Sequence, residues 1–185
     1  LEYHKWTFNV SWFTRLAGDL VLNTRIKYGF LGRYNNKLGD SPFERFYVGG
    51  DGLSGGFTLD GREIVAMRGY DTYSLTPMGF NSKGKYDYIG GTVYDKYTFE
   101  FRYPVSLNPQ ATIFALAFAE GGNTWLRMNE FDPFGVKRSA GLGIRMILPM
   151  IGYFGLDYGW RLDDVPASPG MQRGQFHFSI GQSIE

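Results

Sequence analysis

Residues 152–162 read Gly152-Tyr153-Phe154-Gly155-Leu156-Asp157-Tyr158-Gly159-Trp160-Arg161-Leu162. Phe154, Leu156, Tyr158 and Trp160 occupy the even positions, and Tyr153, Gly155, Asp157, Gly159 and Arg161 the odd ones. A period of two puts bulky apolar groups on one face of a strand and small or polar groups on the other. The pattern continues on both sides. In 139–148, Ala140, Leu142, Ile144, Met146 and Leu148 alternate with Ser139, Gly141, Gly143, Arg145 and Ile147. Toward the C-terminus, Phe176, Phe178 and Ile180 alternate with Gln175, His177 and Ser179. Near the N-terminus, Trp6, Phe8, Val10 and Trp12 alternate with Lys5, Thr7, Asn9 and Ser11. Leu20, Leu22, Ile26 and Tyr28 alternate with Asn23, Arg25 and Lys27, and Val93, Tyr97, Phe99, Phe101 and Tyr103 with Thr92, Lys96, Glu100 and Arg102. Asp95 interrupts the apolar side near a strand end. The stretch 111–121 does not choose a face, because Phe114, Leu116 and Phe118 share a side with Glu120 while Ala115, Ala117 and Ala119 form the other. The chain is therefore read as all-β, with about seven strands of about 9–12 residues, the length of a tilted membrane-crossing strand.

The connections carry a second pattern. Short links at 15–18, 104–110 and 149–152 alternate with longer ones at 35–91, 122–137 and 163–173. Outer-membrane barrels alternate short periplasmic turns with long external loops in this way. Trp6, Tyr28, Phe30, Tyr103 and Trp160 stand toward strand ends, where aromatic side chains sit at a membrane–water interface. A soluble barrel or sandwich, with its apolar face turned inward, uses the same alternation and remains the competing fold. Bacterial single-chain membrane barrels have an even number of strands, eight at least. A count of about seven means a missed strand or a piece of a larger barrel.

Composition bounds the function. The 185 residues hold 19 basic and 18 acidic side chains, no cysteine and 26 glycines, and 18% are aromatic. Charges this balanced provide no basic stripe for nucleic acid. Without cysteine, a disulfide framework or thiolate metal site is excluded. No apolar run approaches the roughly 18–20 residues of a spanning helix, and the opening Leu1-Glu2-Tyr3-His4-Lys5 lacks a signal-peptide core. A mean hydropathy of -0.25 fits a soluble protein and a membrane barrel equally, since half of each barrel strand faces water. No HExxH or GxSxG spacing is present, and no Gly-Lys-Ser/Thr follows the glycine pairs Gly49-Gly50, Gly55-Gly56 and Gly90-Gly91. These pairs read as turns, bulges or points of close backbone approach. Neither catalytic residues nor a cofactor is expected. The two histidines, His4 and His177, lie on different strands, and His177 reads as a solvated lumen residue.

Phe43-Glu44-Arg45-Phe46-Tyr47-Val48-Gly49-Gly50, leading to Met67-Arg68-Gly69-Tyr70, resembles the long external loop of the BamA-type outer-membrane insertase family. Phe118-Ala119-Glu120-Gly121-Gly122-Asn123-Thr124-Trp125 resembles a shared stretch in which an acidic residue, glycine and tryptophan follow an apolar strand. Gly174-Gln175-Phe176-His177-Phe178-Ser179-Ile180-Gly181 resembles the closing strand. Each motif is short, but their order matches over almost the whole chain. The family's barrel has sixteen strands preceded by periplasmic POTRA repeats. The resemblance thus implies that 1–185 is the C-terminal part of an antiparallel up-and-down transmembrane β-barrel, roughly its last seven strands, with the long loop 35–91. The glycine-rich stretch 51–66 exceeds the family's usual loop and resembles the form found in Bacteroidetes. The end, Ile184-Glu185, departs from an aromatic terminus.

The resemblance also implies a site and a role. The loop folds back into the lumen, bringing Arg68, with Gly69 and Tyr70, against Glu100 and Glu120. Both glutamates fall on the polar parity read above. A guanidinium fork suits two carboxylates, and the alternative is an ordinary loop charge. The implied function is non-enzymatic insertion of unfolded outer-membrane β-barrel clients, with no nucleotide, through a lateral seam closed by Phe176, Phe178, Ile180 and Gly181. Gly181 either weakens pairing there or marks a crowded kink. The implied setting is a Gram-negative outer membrane, with the lipid bilayer and accessory lipoproteins as partners and self-association of a piece with open edges. A related barrel that secretes a passenger or partner protein, a diffusion porin and a soluble ligand-binding barrel are the competing functions.

Overall fold

In the computed structural model, residues 2–34, 39–51, 62–80, 84–149, 152–165, 170 and 172–181 are described. Seven long strands form one antiparallel sheet: β1 (Tyr3–Ala17), β2 (Leu20–Arg33), β7 (Val93–Asn108), β8 (Ala111–Trp125), β9 (Lys137–Leu148), β10 (Gly152–Arg161) and β11 (Gly174–Gly181). Each pairs with the next in that order, and the sheet is open at β1 and β11. Four three-residue strands belong to the long connection: β3 (Phe46–Val48) pairs parallel with β4 (Glu63–Val65), and β5 (Met78–Phe80) antiparallel with β6 (Tyr86–Tyr88). Connections 18–19, 109–110 and 149–151 share one end of the sheet, and 34–92, 126–136 and 162–173 the other.

The period-two reading places the faces correctly. On the convex side, Trp6, Phe8, Val10, Phe99, Phe101, Leu142, Ile144, Leu156, Trp160, Phe176, Phe178 and Ile180 are all exposed. On the concave side, Asn23, Lys96, Thr98, Glu100, Glu120, Ser139, Arg145, Asp157 and His177 are buried. A soluble barrel would reverse this arrangement, burying its apolar face. An apolar surface of this extent on the outside marks an interaction with lipid or protein.

One expectation, strand length, needs correction, and one open stretch is resolved. β1, β2, β7 and β8 have 15, 14, 16 and 15 residues, more than the expected span. Their additional residues extend the pairing with neighbouring strands, so β8 runs to Trp125 and the connection after it shrinks to 126–136. In β8 the indecisive stretch resolves against hydropathy. Leu116 and Phe118 are buried on the polar side with Glu120, and the alanines point outward. Phe118 faces inward because the Arg68 guanidinium lies 3.6 Å from its ring centre, a favourable cation–π geometry.

The hydrophobic core does not lie between two layers of wall. It sits inside the curve of the sheet, where Phe46, Val48, Val65, Met67, Tyr70 and Leu75 of the long connection pack against Leu31, Tyr94 and Val165. Within the connection, Phe46 and Gly91 exchange hydrogen bonds and Leu75 N–H donates to Val48 O; its end is tied to the wall, where Leu31 N–H donates to Thr92 O and Thr92 N–H to Trp125 O.

Candidate functional site

β4 and the bridge between Gly50 and Met67 aim the chain so that Arg68 enters the concave face at mid-height. Its backbone N–H donates to Glu120 Oε2 at 3.0 Å. Its side chain donates from Nε to Glu120 Oε1 at 3.0 Å, and from Nη2 to Glu120 Oε1 at 2.6 Å and Glu100 Oε1 at 2.7 Å. Nη1 lies 3.5 Å from Asp157 Oδ1. Arg68, Glu100 and Glu120 are all buried. Burial alone opposes the charge on Arg68. Glu120, Glu100 and Asp157 outweigh it and hold the guanidinium above its ordinary pKa.

Both carboxylates have further cationic partners. Lys96 Nζ lies 3.0 Å from Glu120 Oε1 and donates to Ala66 O at 2.7 Å, so it binds wall and loop together. Arg102 donates to Glu100 Oε2 from Nε at 2.9 Å and from Nη2 at 2.5 Å. Arg145 makes a two-pronged contact with Asp157 at 2.7 and 2.6 Å. The result is a continuous network of Arg68, Lys96, Arg102 and Arg145 with Glu100, Glu120 and Asp157. Paired and hydrogen-bonded charges of this kind tolerate burial, whereas removing one partner leaves an uncompensated charge costing about 3–5 kcal/mol.

Glycine makes room for the loop. Gly69 adopts a φ of 86°, in the left-handed region that glycine enters without strain. A Cβ on Gly159 of β10 would come within 2.7 Å of Gly69 N and 3.0 Å of Gly69 Cα. Loop backbone therefore lies directly on wall backbone. Tyr70, wholly buried, donates its hydroxyl proton to Arg138 O at 2.6 Å. Burial, with the charge of Asp163 nearby, pushes its phenol up to about 12.

The structure thus brings together Arg68, Gly69, Tyr70, Glu100 and Glu120. Phe176, Phe178 and Ile180 stand apart, on the outward face of β11, and Gly181 ends that strand opposite Tyr153. Sequence reasoning missed Lys96, Arg102, Arg145, Asp157 and Phe118 as members of the cluster. The signal was their shared parity with the glutamates. His177 lies on the lumen face as its parity implies, but its expected solvation is overturned. This side chain is 5% exposed and is not solvated: its Nε2 accepts a hydrogen bond from Gly69 N–H at 2.7 Å. Loop backbone covers it, which strand parity alone does not reveal. Of the long stretch 51–66, residues 52–61 lie outside the described residues. Among the described residues, no group of three or more His, Asp or Glu side chains is arranged to hold a metal ion.

Residues 1–184 match the Omp85 superfamily domain. The outer membrane protein assembly factor BamA of Nitratidesulfovibrio vulgaris is 32% identical over 174 residues, covering 92% of this chain and 19% of its own length. BamA of Neisseria meningitidis serogroup B is 27% identical over 126 residues, covering 68% of this chain and 14% of its own. Among solved structures, BamA from Haemophilus ducreyi lacking POTRA domains 1–3 superposes with a TM-score of 0.67 at 19% identity, over 95% of this chain and 34% of that one. That likeness is one of fold. The chain spans a fifth or less of the length of these curated relatives.

Proposed function

The chain belongs to the Omp85 superfamily, and from that premise we propose that it is the closing portion of the barrel of an outer-membrane protein assembly factor. It is a β-barrel segment of a Gram-negative outer membrane. Its work is mechanical: it inserts unfolded β-barrel clients without nucleotide or cofactor. One observation carries this reading. A loop lies against the polar concave face of the sheet and is fixed to it through Arg68, Glu100 and Glu120. A diffusion porin needs an open lumen. A docked loop braces the wall of an insertase and leaves the seam at β11 free to separate.

At that seam, backbone N–H and C=O groups on the free side of β11 can pair with an incoming strand by β-augmentation. Phe176, Phe178 and Ile180 keep that edge apolar toward lipid, and Gly181 ends the packed part of the strand. Accessory lipoproteins would join the protein through parts beyond this segment. The long stretch 51–66 and its Bacteroidetes-like character belong to the same proposal.

A photoreactive amino acid placed at Ile180 tests the role. In membranes supplied with an unfolded client, it should cross-link to the client while the client folds, and to the barrel's own first strand when client is absent. Client folding at a normal rate with no cross-link from Ile180 would contradict it. Cross-linking to a secreted passenger would favour the secretion barrel.

A further inference from the structure

The long connection is held from a second side that the Arg68 cluster does not include. Gly69 N–H donates to His177 Nε2 at 2.7 Å. Two residues earlier on β11, the Gln175 amide donates to the Asp71 carboxylate. Both side chains lie on the lumen face of the last strand, so loop residues 69 and 71 meet strand residues 177 and 175 in step. We infer that His177 and Gln175 are positioning residues that tie the docked loop to the seam strand, so that loop docking and the placement of β11 form one coupled event, with the His177 ring as its proton-sensitive element. This deepens the insertase reading and rests on it only for the consequence at the seam.

The chemistry follows from the donor. A backbone N–H can only donate, so Nε2 must carry a lone pair, and the neutral ring then keeps its proton on Nδ1. Protonation turns both nitrogens into donors and sets two N–H groups against each other. The Gly69 contact then has to break. Around the ring stand Asp157 on β10, directly opposite His177 in the ladder, Glu120 on β8, Asp51 of the loop and Arg68. Asp157 and Glu120 can hold a protonated ring at the wall. Neither of them can restore the hydrogen bond to Gly69. The loop loses one tie to β11, and Gln175–Asp71 is left as the other.

Backbone hydrogen exchange of the full protein in lipid tests this, read at 68–71 and 174–181 with correction for intrinsic rate. From about pH 8 to about pH 5.5, across the ordinary imidazole range, exchange in both stretches should rise together by about tenfold, as for one lost buried hydrogen bond. His177→Gln, whose amide oxygen accepts but does not titrate, should hold exchange low at both pH values. Gln175→Ala should raise it in both stretches at both. An unchanged wild type across that range, or His177→Gln rising as wild type does, would overturn the inference. Should His177→Gln not fold, Gln175→Ala decides alone: a rise confined to 174–181 would overturn the coupling. The same preparations are assayed for client folding. A pH-responsive tie in a protein that folds no client leaves the tie standing and removes the insertase reading. Loss of the tie's response with client folding intact does the reverse.

Discussion

Arg68 meets two carboxylates at hydrogen-bond distance and a third at 3.5 Å, with its flat face on Phe118. Only a planar guanidinium satisfies all of these at once. Arg68→Ala strands Glu120 beside Lys96 alone and should cost about 3 kcal/mol or more. Arg68→Lys should recover little, because an ammonium has neither the fork nor the stacking face. Urea-dependent loss of heat-modifiable migration measures both. Tyr70 adds a pH dependence. Its phenol is raised to about 12 by burial first and Asp163 second, against about 10 in an unfolded chain. The native state holds the proton longer, so this contribution is complete below about pH 10 and is lost as pH rises toward 12. Loop release should accelerate over that window, and Tyr70→Phe should flatten the dependence.

Among the elements, β10 is the one the loop rests on. Gly159→Ala would drive a methyl into Gly69 backbone, and overpacking of this kind costs about 1–3 kcal/mol. The variant should expose the loop to protease while leaving the β9–β10–β11 ladder intact, which strand-specific hydrogen exchange reads. The long strands were legible because each alternates over many residues with one face on lipid, and a one-residue slip would reverse every side chain. That parity also put Glu100, Arg145 and Asp157 on one side, while the stretch that holds Glu120 chose no face. It could not say which of them touch, since contact depends on curvature and register across four strands. β3 to β6 were illegible: three residues hold no period, and their pairing depends on the wall around them. β8 misled for a physical reason, because Phe118 serves a cation and not the bilayer. His177 misled because the chain that covers it is 108 positions away.

At the scale of the whole molecule, the protein is an inverted globule, apolar outside and charged within, with its core supplied by a connection and not by the sheet. Leu142→Arg on the convex face should cost about 2–4 kcal/mol in lipid, whereas Thr7→Arg on the concave face should stay within about 0.5 kcal/mol. Unfolding titrations in vesicles separate the two. Loop and wall form one energetic unit. The direct measurement is a double-mutant cycle of Arg68→Ala and Glu120→Gln on unfolding free energy of the full protein in lipid. Residues sharing a buried charge network couple by about 0.5–3 kcal/mol, and the geometry here predicts the upper half of that range. Additive effects, with no coupling beyond error, would contradict a lumen-docked Arg68 and with it the braced barrel.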